Sequence, residues 1–580
     1  MEQPFVPQIR EPTEQEKDER MEKGIARIYE VIVELLEIAG VPVEGIPTLL
    51  DEMTQKLVKP ENPLAFTLDP DQIDALKILV RRYVHERYSL LLPADTGWGK
   101  TRVGVWVSVF FNVLLGMQPA VICPKILIPM WAKLLGDVGL QPIFVMTYAK
   151  IAGKKSQCNH PYLVRGPDPT GPFYATDVWR DHIRKGVFLI CDESQAVKNK
   201  VARHYAVFAL INEGAILKDS NSRVLHCSAS WIDKSENWPS LYRNLSLITG
   251  RELWHTNPHT RMLEYRPTTR QPEGFAFGWL LDECMRANPR ATQEAILRYN
   301  IKHMKAQVLN DVLLFLWRNI WRERCVIPVT DPIYVNPYTG VPFKRVRANL
   351  FLTLNEEGRL LANEAIMDLR DARIIRKDGR IDIDAAHKNF GAIQQALVKL
   401  CHAKLDDVVR HALIKLREGK KVVIFCPFLN DQELLMHKLA LYNPLRLYGA
   451  ITDQGPAIAA KFNETNHKHM VLIATVEVGG QGTSYQDTHG GFPRCIFTIP
   501  TYNFIPMFQG SGRAYRRGLM SDTESYIVYS NNTAIESLLI NGMLKTEVSM
   551  QVLMPGSGRV FPGAYEFVIE DDGPDKKDLR

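Results

Sequence analysis

The stretch Ala94-Asp95-Thr96-Gly97-Trp98-Gly99-Lys100-Thr101 constrains this 580-residue chain more than any other. An apolar run, Ser89 to Pro93, leads into it, and a nearly all-apolar run, Thr101 to Met117, leaves it. That order predicts a strand, a phosphate-cradling loop and a helix. Gly97 and Gly99, with Thr96 and Trp98 beside them, let backbone N–H groups turn inward around a polyphosphate. Lys100 can reach the outer phosphates, and the Thr101 hydroxyl can hold Mg²⁺. The bland alternative is a glycine-rich turn that happens to precede Lys-Thr.

At this length the chain exceeds one core, and 46% hydrophobic residues can fill three to four domains. A net charge of +6 permits nucleic-acid binding without requiring it. Nine cysteines include no Cys-x-x-Cys pair, so neither a disulfide framework nor a zinc ribbon is visible, and a reducing compartment is expected. Cys158 and His160 are close in sequence but lack further ligands, so no metal is assigned there. Met1 to Glu22 shows no apolar signal region, and Thr101 to Met117 reads as a buried helix rather than a membrane span. An intracellular setting follows, cytoplasm or nucleus, or a virion if the chain is viral.

Residues 1–60 read as a helical extension, with Ile25, Ile28, Val31, Ile32, Leu35 and Leu36 at helical spacing. Residues 61–240 alternate short apolar strands with amphipathic helices, and residues 401–553 repeat the rhythm. The fold class is therefore α/β, two parallel-sheet lobes with a largely helical insertion, 241–400, between them. Within that insertion Trp317 and Trp321 read as core, with Arg318 and Arg322 snorkelling beside them, in preference to a nucleic-acid grip. Residues 554–580, with Pro, Gly and a charge run, read as a mobile tail.

The strand Val187 to Cys191 opens into Asp192-Glu193-Ser194-Gln195. Two carboxylates at the C-terminal edge of a buried strand stand where α/β sheets place catalysis. Asp192 can hold Mg²⁺, and Glu193 can take a proton from an attacking water. An acidic helix cap is the alternative for an isolated Asp-Glu, and Lys100 with Thr101 argues against it.

With these residues in place, the chain resembles the superfamily 2 helicases and translocases, whose two RecA-like lobes clamp ATP. Gln72 resembles that family's adenine-reading glutamine. Pro124 and Lys125, in Cys123-Pro124-Lys125, and Thr147, in Thr147-Tyr148, resemble its first-lobe nucleic-acid contacts. Ser228-Ala229-Ser230 resembles the segment coupling hydrolysis to lobe movement. Thr475, Gly479 and Gly480, in the run Ala474 to Gly482, resemble the segment facing nucleic acid and ATP. The run Gln509 to Arg516 resembles the arginine-finger motif, with Arg513 and Arg516 supplying transition-state charge from the opposite lobe and Gln509 facing the nucleotide.

Lys198-Asn199, Phe462-Asn463, Pro500, Asn503, Pro506, Thr533 to Glu536 and Lys545 narrow the resemblance to the Swi/Snf-like branch, as do Leu352 to Leu354 and Lys399-Leu400-Cys401-His402 between the lobes. Size and layout are similar to compact viral members such as the poxvirus nucleoside triphosphate phosphohydrolase. The sequence departs from the pattern at Ser194, Gln195, Trp231 and Thr483-Ser484-Tyr485. The resemblance implies an ATP- and Mg²⁺-dependent motor on duplex nucleic acid, DNA favoured over RNA. It is consistent with a place beside a polymerase or transcription complex and with no membrane partner. Two alternatives stand beside it: a strand-separating helicase, and a structural or regulatory subunit that keeps the ATPase fold.

Overall fold

The computed structural model describes residues 13–568 except 60, 86–87, 95–96, 154–157, 166–172, 200, 217–220, 229–230, 233–234, 249–254, 257–262, 265–275, 302–307, 330–332, 337, 377–384, 386–387, 481–482, 502–503, 531–535 and 537–566. The first sheet contains β1 (Ser89–Leu92), β2 (Gln118–Ile122), β3 (Val145–Met146), β4 (Val187–Asp192) and β5 (Arg223–Cys227). They lie in the order β1-β5-β4-β2-β3, all parallel. The strands read as continuous apolar runs because helices cover both faces. Leu90, Leu92, Phe188 and Ile190 face one core with the helices Pro70–His85 and Lys100–Leu115. Leu91, Leu189 and Cys191, one residue out of step, face a second core with the helices Asp177–Lys185 and Ala202–Ile216.

The helix Lys100–Leu115 is the apolar run after the loop, and it is largely buried. Among the described residues no helix is long and apolar enough to cross a membrane. The helix Glu14–Ile38 carries the spacing noted above, and Ile28, Val31, Ile32, Leu35 and Leu36 enter the first of these cores. The extension is thus continuous with the packing of the first lobe.

The second sheet contains β6 (Arg345–Leu352), β7 (Lys421–Phe425), β8 (Leu445–Leu447), β9 (Val471–Ala474), β10 (Arg494–Thr498), β11 (Thr523–Ser530) and β12 (Phe567–Val568). Their order is β8-β9-β7-β10-β11-β6-β12, again all parallel. Two α/β lobes with parallel sheets are present, as the strand rhythm implied.

The stretch between the lobes does not form one body. Its helices Ala276–Ala287, Pro289–Tyr299 and Leu309–Leu316 join the core of the first lobe, where Trp317 and Trp321 are fully buried, so the core reading of the two tryptophans holds. β6 instead pairs along its whole length with β11. The helices Glu356–Asp371 and Phe390–Ala403 then form a small core that reaches Phe428 and Phe504 of the second lobe. Periodicity identified the helices but could not assign their partners. β12, in the span read as a tail, pairs with Asn349 and Leu350 of β6.

Burial also makes the first lobe acid-sensitive. His226 on β5 is fully buried, its Nε2 is 2.9 Å from the Asn244 carbonyl, and burial lowers its pKa from 6.5 to about 4. The unfolded chain therefore binds this proton before the folded one does. Stability is full above pH 6.5 and falls as the pH drops toward 4, by up to roughly 3 kcal/mol from this group. Urea unfolding of His226→Gln should show lower stability at neutral pH but a smaller loss between pH 6.5 and 4 than the parent chain. An identical acid loss in both would show that His226 does not carry it.

Candidate active site between the two sheets

The loop after β1 brings the first set of side chains together. Gly97 and Gly99 have φ of +91° and +103°, a region that costs L-residues about 1–2 kcal/mol. Space demands glycine as well. A Cβ on Gly97 would lie 2.7 Å from Arg516 Cγ of the second lobe, and one on Gly99 would lie 2.4 Å from Gln72 Nε2. Lys100 opens the helix and donates to the Ala94 carbonyl at 2.9 Å, and Thr101 follows it at the mouth of the cavity. Gln72 is buried, its amide spanning the Asp69 N–H and the Trp98 carbonyl, so it braces the loop from behind. Thr96 lies outside the described residues.

β4 delivers Asp192 and Glu193 beside that loop. Asp192 Oδ2 accepts from the Trp131 indole at 2.9 Å, and Oδ1 accepts from the Glu193 N–H at 3.0 Å. Trp131 is itself seated on Gly104 of the loop helix, where a Cβ would meet its ring at 2.9 Å. Burial, and then the Glu193 charge, push the Asp192 carboxyl up to about 6, while Lys100 pulls it down. Glu193 holds a left-handed backbone, φ +52°, which costs of order 1 kcal/mol and turns its side chain out of the strand direction.

The Glu193 carboxylate ties the lobes together. Its Oε2 accepts from Gln195 Nε2 at 2.8 Å and from Gln509 Nε2, in the helix Phe504–Ser511 of the second lobe, at 2.9 Å. Gln195 Oε1 in turn accepts from the Ser228 hydroxyl at 2.6 Å. A continuous hydrogen-bonded path thus runs from the end of β5, through the carboxylate, into the second lobe.

The departures noted in the sequence are partners in space. Trp231 Nε1 donates to Ser194 Oγ at 2.8 Å, so the larger ring at 231 and the hydroxyl at 194 satisfy each other. In the second lobe the Thr483 and Tyr485 hydroxyls lie 2.7 Å apart, each 3.0 Å from the Gly479 carbonyl, and share their protons among the three oxygens. These bonds fix the turn whose carbonyls receive the arginines. Arg513 donates to the carbonyls of Gly480 and Thr483, and Arg516 also donates to Thr483. Gly480 is confined by the Val476 and Pro506 carbonyls, at 2.3 and 2.9 Å from a Cβ.

Between the lobes lies a cavity of about 260 Å³ lined by Gly97, Gly99, Lys100, Thr101, Asp192 and Glu193 on one side and Gln486, Arg513, Arg516 and Arg517 on the other, with Leu127 and Met130 at its edge. Four cationic side chains face two carboxylates, which suits a polyanion carried with a divalent cation. The hard oxygens of Thr101 and Asp192 fit Mg²⁺. Sequence reasoning missed Arg517, which donates to the Thr67 carbonyl and pairs with Asp69 at 3.2 Å. It also missed Tyr334, whose hydroxyl donates to the Gly97 carbonyl and whose ring lies 4.9 Å from Tyr515. A Gly-Arg-x-x-Arg-Arg run marks Arg517, but no local pattern marks Tyr334.

The proposed nucleic-acid residues sit at the same C-terminal edges of the sheets. Pro124 and Lys125 follow β2, Thr147 follows β3, and Thr475 and Gly479 follow β9. Thr147 Oγ1 caps the short helix Tyr148–Ala152 by accepting from the Lys150 N–H. Lys125 reaches across to Asp453 of the second lobe at 3.0 Å, both side chains being mostly exposed.

The chain is 23% identical over 481 residues, 81% of each chain, to an Acanthamoeba polyphaga mimivirus protein named as a "putative ATP-dependent RNA helicase". No protein-family model matches the chain. The Sulfolobus solfataricus SWI2/SNF2 ATPase core, solved in complex with dsDNA, is also similar, at 14% identity over 84% of this chain and 97% of that one, with a TM-score of 0.29.

Gly99→Ala should lower folding stability by more than about 1 kcal/mol, since it combines an unfavourable φ with displacement of Gln72. Chemical denaturation measures this. Wild-type stability would mean that the loop relaxes freely.

Proposed function

We propose that this chain is an ATP-driven motor that grips duplex nucleic acid and moves along it without separating the strands. The observation that carries the reading is the cavity where Lys100, Asp192 and Glu193 of one lobe face Arg513 and Arg516 of the other. Neither half is complete without closure, as a motor that must time hydrolysis to lobe movement requires.

In this mechanism the loop amides around Gly97 and Gly99, with Thr96 and Trp98, hold the phosphates, while Gln72 must exchange its bond to the Asp69 N–H or the Trp98 carbonyl to read the base. Lys100 leaves the Ala94 carbonyl for the outer phosphates. Thr101 and Asp192 would hold Mg²⁺, which would supply positive charge to the phosphate oxygens when bound. Glu193, oriented by Gln195 and Gln509, takes the proton of the attacking water as the bond to the terminal phosphoryl group breaks. Arg513 and Arg516 stabilise the charge that develops. Gly480, beside Gln509, shapes the nucleotide-facing wall of the second lobe.

Pro124, Lys125, Thr147, Thr475 and Gly479 would hold backbone phosphates, which makes binding sequence-tolerant and salt-sensitive. Lys125 must exchange Asp453 for phosphate. That exposed pair is worth about 0–1 kcal/mol, so the exchange costs little. The Swi/Snf-like run from Lys198-Asn199 to Arg516 supports tracking on duplex. The viral relative supports a setting in viral transcription or replication.

Lys100→Ala should abolish ATP hydrolysis, because Lys100 brings the mobile charge to the outer phosphates; substantial turnover would remove the loop assignment. Glu193→Gln should bind nucleotide yet turn over slowly, read by equilibrium binding and steady-state rates. Arg513→Ala and Arg516→Ala should retain nucleotide affinity while losing about 10³-fold in turnover, the scale of a withdrawn trans-acting arginine.

The motor itself is tested with a third strand bound on a duplex and with a forked duplex, both under ATP. Displacement of the third strand with the fork intact fits tracking. Opening the fork without displacing the third strand identifies a strand-separating helicase instead. Absence of ATP hydrolysis with every nucleic acid tried would leave the fold serving a structural role.

A further inference from the structure

The segment Lys399-Leu400-Cys401-His402 and the end of β7 meet at a cluster of buried side chains that the chemistry described above does not use. Cys401 lies near the end of the helix Phe390–Ala403, Cys426 directly follows β7, and Asp431 lies in the helix Leu429–Lys438. All three are buried, and one ligand atom from each lies within 4.8 Å of the others. We propose that Cys401, Cys426 and Asp431 form a zinc site that pins the segment linking the lobes to β7, an interior strand of the second sheet. This inference is independent of the proposed ATPase activity.

Three observations carry it. The two sulfurs are 3.8 Å apart, whereas a disulfide needs about 2.05 Å. Two thiolates bound to one tetrahedral Zn²⁺ at about 2.3 Å are separated by about 3.8 Å, so the observed spacing already matches. The carboxylate adds the second observation. Asp431 is 3% exposed, and among the described residues its Oδ2 has no hydrogen-bond partner, a costly state for a buried carboxylate oxygen unless a cation meets it.

The surroundings supply the third observation. His402 Nδ1 lies 2.8 Å from Asp431 Oδ1, the outer-shell arrangement that orients a ligating carboxylate, and the histidine side chain is 43% exposed and opens a path from solvent. Gln432 Nε2 donates to the Cys426 carbonyl at 2.8 Å and fixes the turn that carries the second sulfur.

The donor set selects the ion. Two soft sulfurs disfavour Mg²⁺ and Ca²⁺, which take oxygen ligands, while two sulfurs with one carboxylate suit Zn²⁺ with water in the fourth position. Binding at neutral pH displaces both thiol protons to solvent and leaves two thiolates and a carboxylate around a dication.

The full chain, purified reduced, should retain one Zn²⁺ per chain after exhaustive dialysis, measured by atomic emission. Cobalt in its place should give a thiolate-to-metal charge-transfer band. Cys426→Ser and Asp431→Asn should each lose the ion, Cys158→Ser should keep it, and His402→Ala should weaken affinity by about 10–100-fold. Retention of Zn²⁺ by Cys426→Ser would place the metal elsewhere and overturn the proposal. Should the variants fail to fold, the cobalt spectrum of the parent chain decides: a thiolate band upholds the site, and its absence removes it.

Discussion

A carboxylate oxygen, Glu193 Oε2, accepts one amide from its own lobe, through Gln195, and another from the opposite lobe, through Gln509, and the active-site cavity depends on both. Hydrogen bonds to a charged acceptor contribute about 1.5–3 kcal/mol, whereas an exposed pair such as Lys125 with Asp453 contributes about 0–1 kcal/mol. The contact at the chemistry therefore outweighs the one at the rim. Closure of the lobes is governed from the site outward, with Arg516 against Gly97 and Arg517 against Thr67 completing the seam.

That seam explains why Glu193 tolerates a left-handed backbone. An extended conformation would carry its side chain on along the strand, away from both amides. The strain is small beside the bonds it permits. The Gln195 amide donates and accepts without changing charge, so it can hold both Glu193 and the Ser228 hydroxyl in place.

Much of this was legible locally. The strand-loop-helix order around Lys100, the carboxylates after β4 and the helical spacing from Ile25 to Leu36 are set by nearest neighbours along the chain, and each appears where the pattern placed it. What could not be read depends on partners distant in sequence. Ser194 and Trp231 looked like two separate departures, yet each exists to satisfy the other. The pairing of β6 with β11 has no local mark either, because a buried parallel strand reads the same whichever neighbour it joins.

The position of β6 also shapes how the molecule must be assembled. It enters the second sheet between β11 and β12, so its partners are both synthesised long after it. The first lobe has all of its strands once Cys227 is made, and its packing helices follow by Cys325. From then until residue 523 emerges, β6 has no neighbour with which to pair, and its backbone donors and acceptors form an open edge. β8, β9, β7 and β10 can pair with one another before then, so it is the β11-β6-β12 side of the sheet that is completed last. A nascent chain stalled between residues 352 and 523 exposes a strand able to recruit other chains, a vulnerability for which chaperone binding would be selected.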